Sequence, residues 1–574
     1  MLQKKQLLRI AVLLMVAVVL LPVSACKPAA EPMATPPPEV EEKVEEGYGP
    51  DRPMIVNWQR SSDPPTCDPA FGATVSGGIE IEWNVYDTLI QYEGETDKLI
   101  PGLAESWEAS PDGKSYTFHL RKGVKFHNGD EFTAEDVKVA MDRALAADAT
   151  PGLYWEPVES MEIIDDYTVK MNMKFPYGPW PTVMAGSRGM YIGPSKKSVE
   201  EHATADDPWA FDYFQDHENG TGPWVMENWE RDVKIEFVRF DDYWGGWEGK
   251  HADKHVFLIV KEDATARLML EKGDLDVYIP NNPATAVELQ KNPDLEVRAT
   301  PSYMLFYLHM NMHKPPLDDV RVRYAFAYAY DYQACLDDLY LGFGNVGGRS
   351  PLPETMWPRV EDMEPIFTYD LDKARELLKE AGWEDRDGDG KLEDADGNDF
   401  PTVEMMIMDL EIRRLMTELW MDGLRKLGIE MTAEYVTWPV NDAAGSKPIG
   451  EKPYHLSGYS AWPSFPDPDD TLKNFHSNEA EGGFNWAGYV NPEVDRLLEE
   501  GRATLDHDKR VELYTEAVRI IQRDASTVFA VEVNMIQAYR KWAKGWIVNP
   551  GLQHVQIFYP VYIEGRPPEF DHLD

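Results

Sequence analysis

The chain of 574 residues is poor in cysteine, with three, in histidine, with 13, and in positive charge, with 56 Lys and Arg against 101 Asp and Glu. Three cysteines cannot build a disulfide framework. Cys67 and Cys335 each sit in a segment that reads as packed structure, so two free buried thiols are expected. Neither has a His and an acid patterned around it as a thiol nucleophile requires. The histidines show no spacing that gathers transition-metal ligands. A net charge of −45 and a pI near 4.6 oppose a nucleic-acid partner and a folded surface lying on anionic lipid. No repeat of fixed period is present.

Long apolar runs are also scarce. The longest, "IAVLLMVAVVLL" at residues 10 to 21, follows Lys4, Lys5 and Arg9. As a helix it rises about 18 Å, short of the roughly 30 Å of a hydrocarbon core, so it reads as a secretory leader and not a permanent span. "VSAC", ending at Cys26, resembles a bacterial lipobox, which implies that the Cys26 thiol receives a diacylglycerol and becomes the mature N-terminus. Residues 27 to 50, rich in Pro and Glu, read as an extended charged tether. The expectation is a signal peptide at 1 to 26, a tether at 27 to 50, and a body from near Arg52 that works outside the cytoplasmic membrane, held there by lipid alone.

A body of this length implies two or three domains. "SYTFHL" (115 to 120), "DYTVKMNM" (166 to 173) and "VKIEFVRF" (233 to 240) read as strands. "DLDKARELLKEAGW" (370 to 383) places Ala374, Leu377, Leu378 and Ala381 on one helical face and ends at Gly382, and residues 491 to 524 read as a helix pair. "SPDGKS" and "KGVKFHNGD" supply tight turns, and "TAEDV" starts a helix with Thr133 as N-cap and Asp136 in the capping-box position. His127 reads as a packing or turn histidine, and Arg323 as a structural ion-pair partner. The mixture indicates an α/β protein with several lobes.

"DRDGDGKLEDADGND" (385 to 399) has the spacing of a calcium loop: Asp385, Asp387, Asp389, Lys391 through its carbonyl, Glu393 and Asp396 at positions 1, 3, 5, 7, 9 and 12, with Gly390 at 6. Position 12 is the shorter Asp, and "FPTVEMMIM" after it reads as a strand. Two readings stand: a structural Ca²⁺ half-hand, or a solvated acidic turn.

Several stretches carry a resemblance. "LAESWEASPDGKSYTFHLRKGVKFHNGDEFTAEDVKVAMDRAL" (103 to 145), "GTGPW" (220 to 224), "LDDVRVRYAFAYAYD" (317 to 331), "YDLDKARELLKEAGW" (369 to 383) and "FNWAGYVNPEVDRLL" (484 to 498) resemble the peptide/nickel family (family 5) of ABC-transporter solute-binding proteins, in the family's order. The resemblance implies an α/β, two-lobe periplasmic-binding-protein type II fold with an extra inserted subdomain (cluster C). Lobe I would combine 51 to 85, 220 to 298 and 530 to 574; residues 86 to 219 would form the inserted subdomain and 299 to 529 lobe II. It also implies a non-enzymatic monomer that encloses a small ligand by hinge closure and delivers it to the permease subunits of an ABC importer.

In peptide-binding members of that family a "GW…D…DP" loop supplies an Asp for the ligand's amino group. The matching stretch, "SGYSAWPSFPDPDD" (457 to 470), has Trp462 where that Asp falls, leaving Asp467 or Asp469 to replace it from a shifted register. A buried ammonium needs a carboxylate. Eighteen Trp supply another chemistry. Trp58, Trp438, Trp462 and Trp486, with Tyr459 and Phe465, are expected near the cleft, where flat rings stack on sugars. The ligand is therefore read as an oligopeptide or an oligosaccharide. The alternative is a surface-anchored glycoside hydrolase or carbohydrate-binding protein, since hydrolysis needs two positioned carboxylates and acids abound.

Overall fold

Most elements form where the sequence pattern places them. Ser115–Leu120 is a strand with alternating burial, and Thr168–Met173 and Lys234–Arg239 begin one or two residues inside their predicted spans. Helix Leu371–Glu380 starts at Asp370, whose carboxylate accepts the Lys373 N–H at 2.9 Å. It stops because Gly382 takes φ +99°, a conformation open to glycine at little cost. Pro492–Ala503 and His507–Asp524 form the predicted pair, capped by Asn491 and Asp506. The computed structural model describes residues 48, 52–72, 78–188, 190–280, 282–552 and 556–570. The leader, Cys26 and the tether to residue 47 lie outside the described residues.

Three sheets organise the body. The first has seven strands in the order Trp224–Glu230, Lys234–Arg239, Lys254–Ile259, Ile55–Arg60, Val277–Tyr278, Met535–Arg540, Leu295–Thr300. The second has six, in the order Gly344–Val346, Thr527–Val533, Leu305–Met310, Leu456–Ala461, Val403–Met408, Met431–Val436. A four-stranded antiparallel sheet, Ala104–Ala109, Ser115–Leu120, Thr168–Met173, Val158–Asp165, carries the inserted part. Helix Ala134–Ala146 has the capping box of Thr133 and Asp136. Among the described residues, no helix is long and apolar enough to cross a membrane.

The chain passes directly from strand to strand between the two large sheets at residues 301 to 304 and again at Asn534. The two crossings are tied, Val533 donating to the Met304 carbonyl at 3.0 Å. The expected boundaries at 298/299 and 529/530 fall inside Leu295–Thr300 and Thr527–Val533; each strand completes its ladder before the chain changes sheet.

Cys67 and Cys335 are free and buried. Arg323 holds carbonyls in place of the expected carboxylate: Leu317 at 2.9 Å, Asp318 at 3.1 Å and Asp524 at 2.8 Å. His127 is buried, with Nδ1 2.7 Å from Glu218 Oε2 and Nε2 2.9 Å from the Gly222 carbonyl. Both partners are placed to accept, an arrangement that favours the protonated ring with both nitrogens donating. Burial alone would push its pKa down, but Glu218 and the carbonyl outweigh it and hold the ring above its ordinary value. A raised folded pKa contributes stability that is complete below the unfolded value of about 6.5 and is lost as pH rises through the folded value. His127→Gln should cost about 1.5–3 kcal/mol at the acidic end, and the deficit should shrink with rising pH. Urea midpoints from about pH 5.5 to 9 check this; a deficit independent of pH would mean a neutral ring.

Candidate functional site

Strand Val403–Met408 runs parallel to both Met431–Val436 and Leu456–Ala461, so the carboxyl ends of all three reach one edge of the six-stranded sheet. Helix Glu411–Arg425, helix Trp438–Gly445 and the 462 to 470 loop all begin there. Ligands of open α/β sheets bind in the crevice outside such ends. Trp438 opens its helix and Trp462 is the first residue beyond its strand, and both are half-buried.

Trp438, Tyr459 and Trp486 come together. Ring centroids lie 5.8 Å apart for Trp438 and Trp486 and 4.8 Å for Tyr459 and Trp486. The Tyr459 hydroxyl donates to the Phe484 carbonyl at 3.3 Å. Trp486 is fully buried, and Gly445 makes room for it: a Cβ there would lie 2.3 Å from the indole. Phe484 joins this wall with its ring 6.3 Å from Trp486 and remains 40% exposed. Sequence reasoning passed over it, although it stands two residues before Trp486 in "FNW".

Two aromatic candidates belong elsewhere. Trp58 is a core residue in the middle of the seven-stranded sheet, its indole N–H given to His255 Nδ1 at 2.8 Å and its ring packed 4.6 Å from Phe558 and 5.0 Å from Trp546. Burial pushes His255 well below its usual pKa, which leaves Nδ1 free to accept. Phe465 is buried in the hydrophobic cluster of the inserted subdomain with Trp180 and Met184, edge-on to Tyr154. It joins lobe II to the inserted part, beside the Gly178 N–H that donates to the Arg502 carbonyl at 2.7 Å.

Asp467 is not a ligand anchor. Arg510 clamps it with bonds of 2.7 and 2.8 Å, and its carboxylate also caps the next helix by accepting the Asp469 N–H at 2.9 Å. Asp469 takes Arg502 at 3.0 Å and the Tyr514 hydroxyl at 3.3 Å, and Asp470 takes Lys473 and the Ser464 N–H. All three acids are buried and neutralised within lobe II. Burial would lower the Arg510 pKa, yet Asp467 more than offsets this and holds it above the ordinary value.

In the acidic loop, oxygens of Asp385, Asp387, Asp389 and Glu393 all lie within 4.8 Å of one another. Asp396 does not join them. The chain turns around Asp394, which accepts the Asp396 and Asn398 N–H groups at 2.9 Å, and strand Val403–Met408 follows. Lys391 lies in the turn, its N–H bound to Asp389 at 2.9 Å.

Arg510→Met leaves Asp467 charged and buried and should cost about 3–5 kcal/mol. Asp467→Asn with Arg510→Met should recover much of that loss. A double-mutant cycle in urea checks the pair; additive losses would mean that the two side chains act independently.

Residues 98–483 match the family of bacterial extracellular solute-binding proteins, family 5 Middle. The chain is 31% identical over 490 residues to the dipeptide-binding protein of Escherichia coli K12, covering 82% of this chain and 88% of that one. It is 28% identical over 503 residues to heme-binding protein A of Haemophilus influenzae, covering 84% and 87%. The periplasmic binding protein DppA from Helicobacter pylori, solved with the peptide STSA, superposes with a TM-score of 0.73 at 26% identity, covering 89% of this chain and 99% of that one. The two-lobe α/β fold, the parallel-strand edge and these matches agree: the chain belongs to the family 5 extracellular solute-binding proteins of ABC transporters.

Proposed function

We propose that the protein is the extracytoplasmic receptor of an ABC importer, a monomer held to the membrane through lipid on Cys26, that captures an oligopeptide between its lobes and hands it to the permease. The observation that carries the peptide reading is the match to the dipeptide-binding protein of Escherichia coli along 88% of that protein's length. Binding favours the closed state only by the ligand's extra affinity for it. The tie between crossings 301 to 304 and 534 is the natural pivot.

A second reading, an oligosaccharide, is favoured by Trp462 at the amine-anchoring position and by the accessible rings of Trp438 and Phe484, which the buried Trp486 backs. A thermal-shift screen with di- to pentapeptides and oligosaccharides, followed by calorimetry, separates the two. Peptides that stabilise only with a free N-terminus would retire the sugar reading; turnover of a bound sugar would retire the receptor. Trp462→Ala should weaken the ligand by at least about tenfold and leave the melting temperature near the wild-type value. Unchanged affinity would take Trp462 out of the site.

The acidic loop fits Ca²⁺ through Asp385, Asp387, Asp389 and Glu393, with Lys391 offering its carbonyl, as a fastener between helix Leu371–Glu380 and strand Val403–Met408. Its role would be stability by linkage. Melting temperature should rise in calcium over EDTA, and Asp387→Ala should abolish the difference; a melting temperature indifferent to EDTA would leave an acidic turn.

A further inference from the structure

Buried arginines of this protein are answered by acids, by several carbonyls or by an aromatic face. Arg60 meets Glu80 at 2.6 Å, Arg143 meets Asp68 at 2.7 Å and Arg566 meets Asp276 at 2.6 Å. Arg323 has its three carbonyls, and Arg413, in the first turn of helix Glu411–Arg425, lies 5.3 Å over the Phe306 ring. Lys452 is less well served. It is 5% exposed, and its ammonium donates to a single carbonyl, that of Gly445 at the end of helix Trp438–Gly445. Two of its three N–H groups remain. Burial pushes its pKa down to about 8, and the exposed Glu481 is the one charge that opposes this, so it is mostly a cation at neutral pH. Among the described residues no carboxylate pairs with it.

Four unpaired polar groups gather around it. His309 and Ser457 are register partners on adjacent strands, on the sheet face that carries Tyr307 and Tyr459. His309 Nδ1 lies 2.9 Å from the Thr527 hydroxyl, and Nε2 has no partner. Burial, reinforced by the Lys452 charge, holds the His309 pKa down to about 3, so the ring is neutral. A neutral ring that accepts the Thr527 hydroxyl at Nδ1 carries its proton on Nε2. Ser457 Oγ is unpaired as well, beside the Tyr454 hydroxyl that donates to the Trp486 carbonyl at 3.2 Å. Trp486 Nε1 is unpaired and borders Gly445, where a Cβ would come within 2.5 Å of it. Asn441, one turn before Gly445, gives its amide to the Gly458 carbonyl at 3.3 Å and leaves Oδ1 unpaired. His309, Ser457, Trp486 and Asn441 are each no more than 1% exposed.

Buried polar groups rarely go unpaired. A water accepts two hydrogen bonds, too few for donors on Lys452, Trp486, Ser457 and His309, and it leaves the ammonium without a counter-charge. A small anion answers both needs. We propose that these side chains hold a monovalent anion of halide size inside lobe II, with Lys452 as its counter-ion. A water beside the anion serves Asn441 Oδ1. Trp486 is the floor on which Trp438 and Tyr459 rest, at ring separations of 5.8 and 4.8 Å, so an anion bound to its N–H steadies the aromatic wall from behind. The groups are closed off from solvent, which makes this anion distinct from the transported solute.

Two measurements on solute-free protein test it. Melting temperature is followed as sodium gluconate is exchanged for sodium chloride or bromide at constant ionic strength, and the halide should raise it by at least about 2 °C. Lys452→Met should erase that increment, and Ser457→Ala, which removes one donor, should raise the chloride midpoint at least about threefold. In crystals grown in sodium bromide, an anomalous bromine peak should lie within hydrogen-bonding reach of Lys452 Nζ and Trp486 Nε1. No halide increment in the wild type, an increment unchanged in both variants, or density of a water without an anomalous peak overturns the proposal. Should Lys452→Met fail to fold, Ser457→Ala and the bromine peak decide.

Discussion

Parallel strands can leave a shared ladder only at their carboxyl ends, and this constraint arranges lobe II. Because Val403–Met408, Met431–Val436 and Leu456–Ala461 are parallel, whatever follows each of them emerges at the same edge. Arg413, Trp438 and Trp462 are separated by tens of residues in the chain yet follow three strands of one ladder. Helix Trp438–Gly445 packs back so that Trp438 meets Trp486, which Gly445 admits. The first crossing serves this edge, since it opens directly into Leu305–Met310, the strand that pairs with Leu456–Ala461.

Charge is the second organising force. With 101 acids against 56 bases, most carboxylates must be solvated. Among those taken inside are three at or just after the loop that follows Leu456–Ala461. Asp467, Asp469 and Asp470 each recruit a cation from helices beyond the loop, and Asp467 also caps the short helix Pro468–Leu472. The arrangement sets the loop's path so that Phe465 enters the core of the inserted subdomain. A loop that fastens two parts of the molecule has little freedom left to reorganise around a ligand, which concentrates recognition on the residues it holds in place.

The sequence made the local elements legible because their causes are local. Alternation, caps such as Asp370, Asn491 and Asp506, and the Thr133–Asp136 box each act within a few residues. The fold class was legible through family motifs spread along the body. The site was legible only in part. Trp438, Tyr459 and Trp486 were expected near the cleft; they pack together, but Tyr459 and Trp486 are buried in a core cluster, and Trp58 belongs to another core, bonded to His255 197 residues away. Asp467 looked available because Arg510, its partner, lies 43 residues downstream on another helix. Asp396 satisfied the spacing of a calcium loop, but the turn around Asp394 takes it out of the group that Asp385, Asp387, Asp389 and Glu393 form. Pairing across long sequence separations is the information that spacing does not carry.

The same consideration explains why Arg413 went unnoticed in "EIRRL", beside Arg414. In sequence the two arginines are indistinguishable. In three dimensions Arg414 finds Asp409 at the helix start, while Arg413 turns inward beside Phe306 and Ser460, where no acidic side chain of the described residues pairs with it. An uncompensated buried cation is disfavoured. What the fold supplies in place of an acid is the Phe306 ring face, 5.3 Å from the guanidinium, and the Ser460 hydroxyl at 3.4 Å.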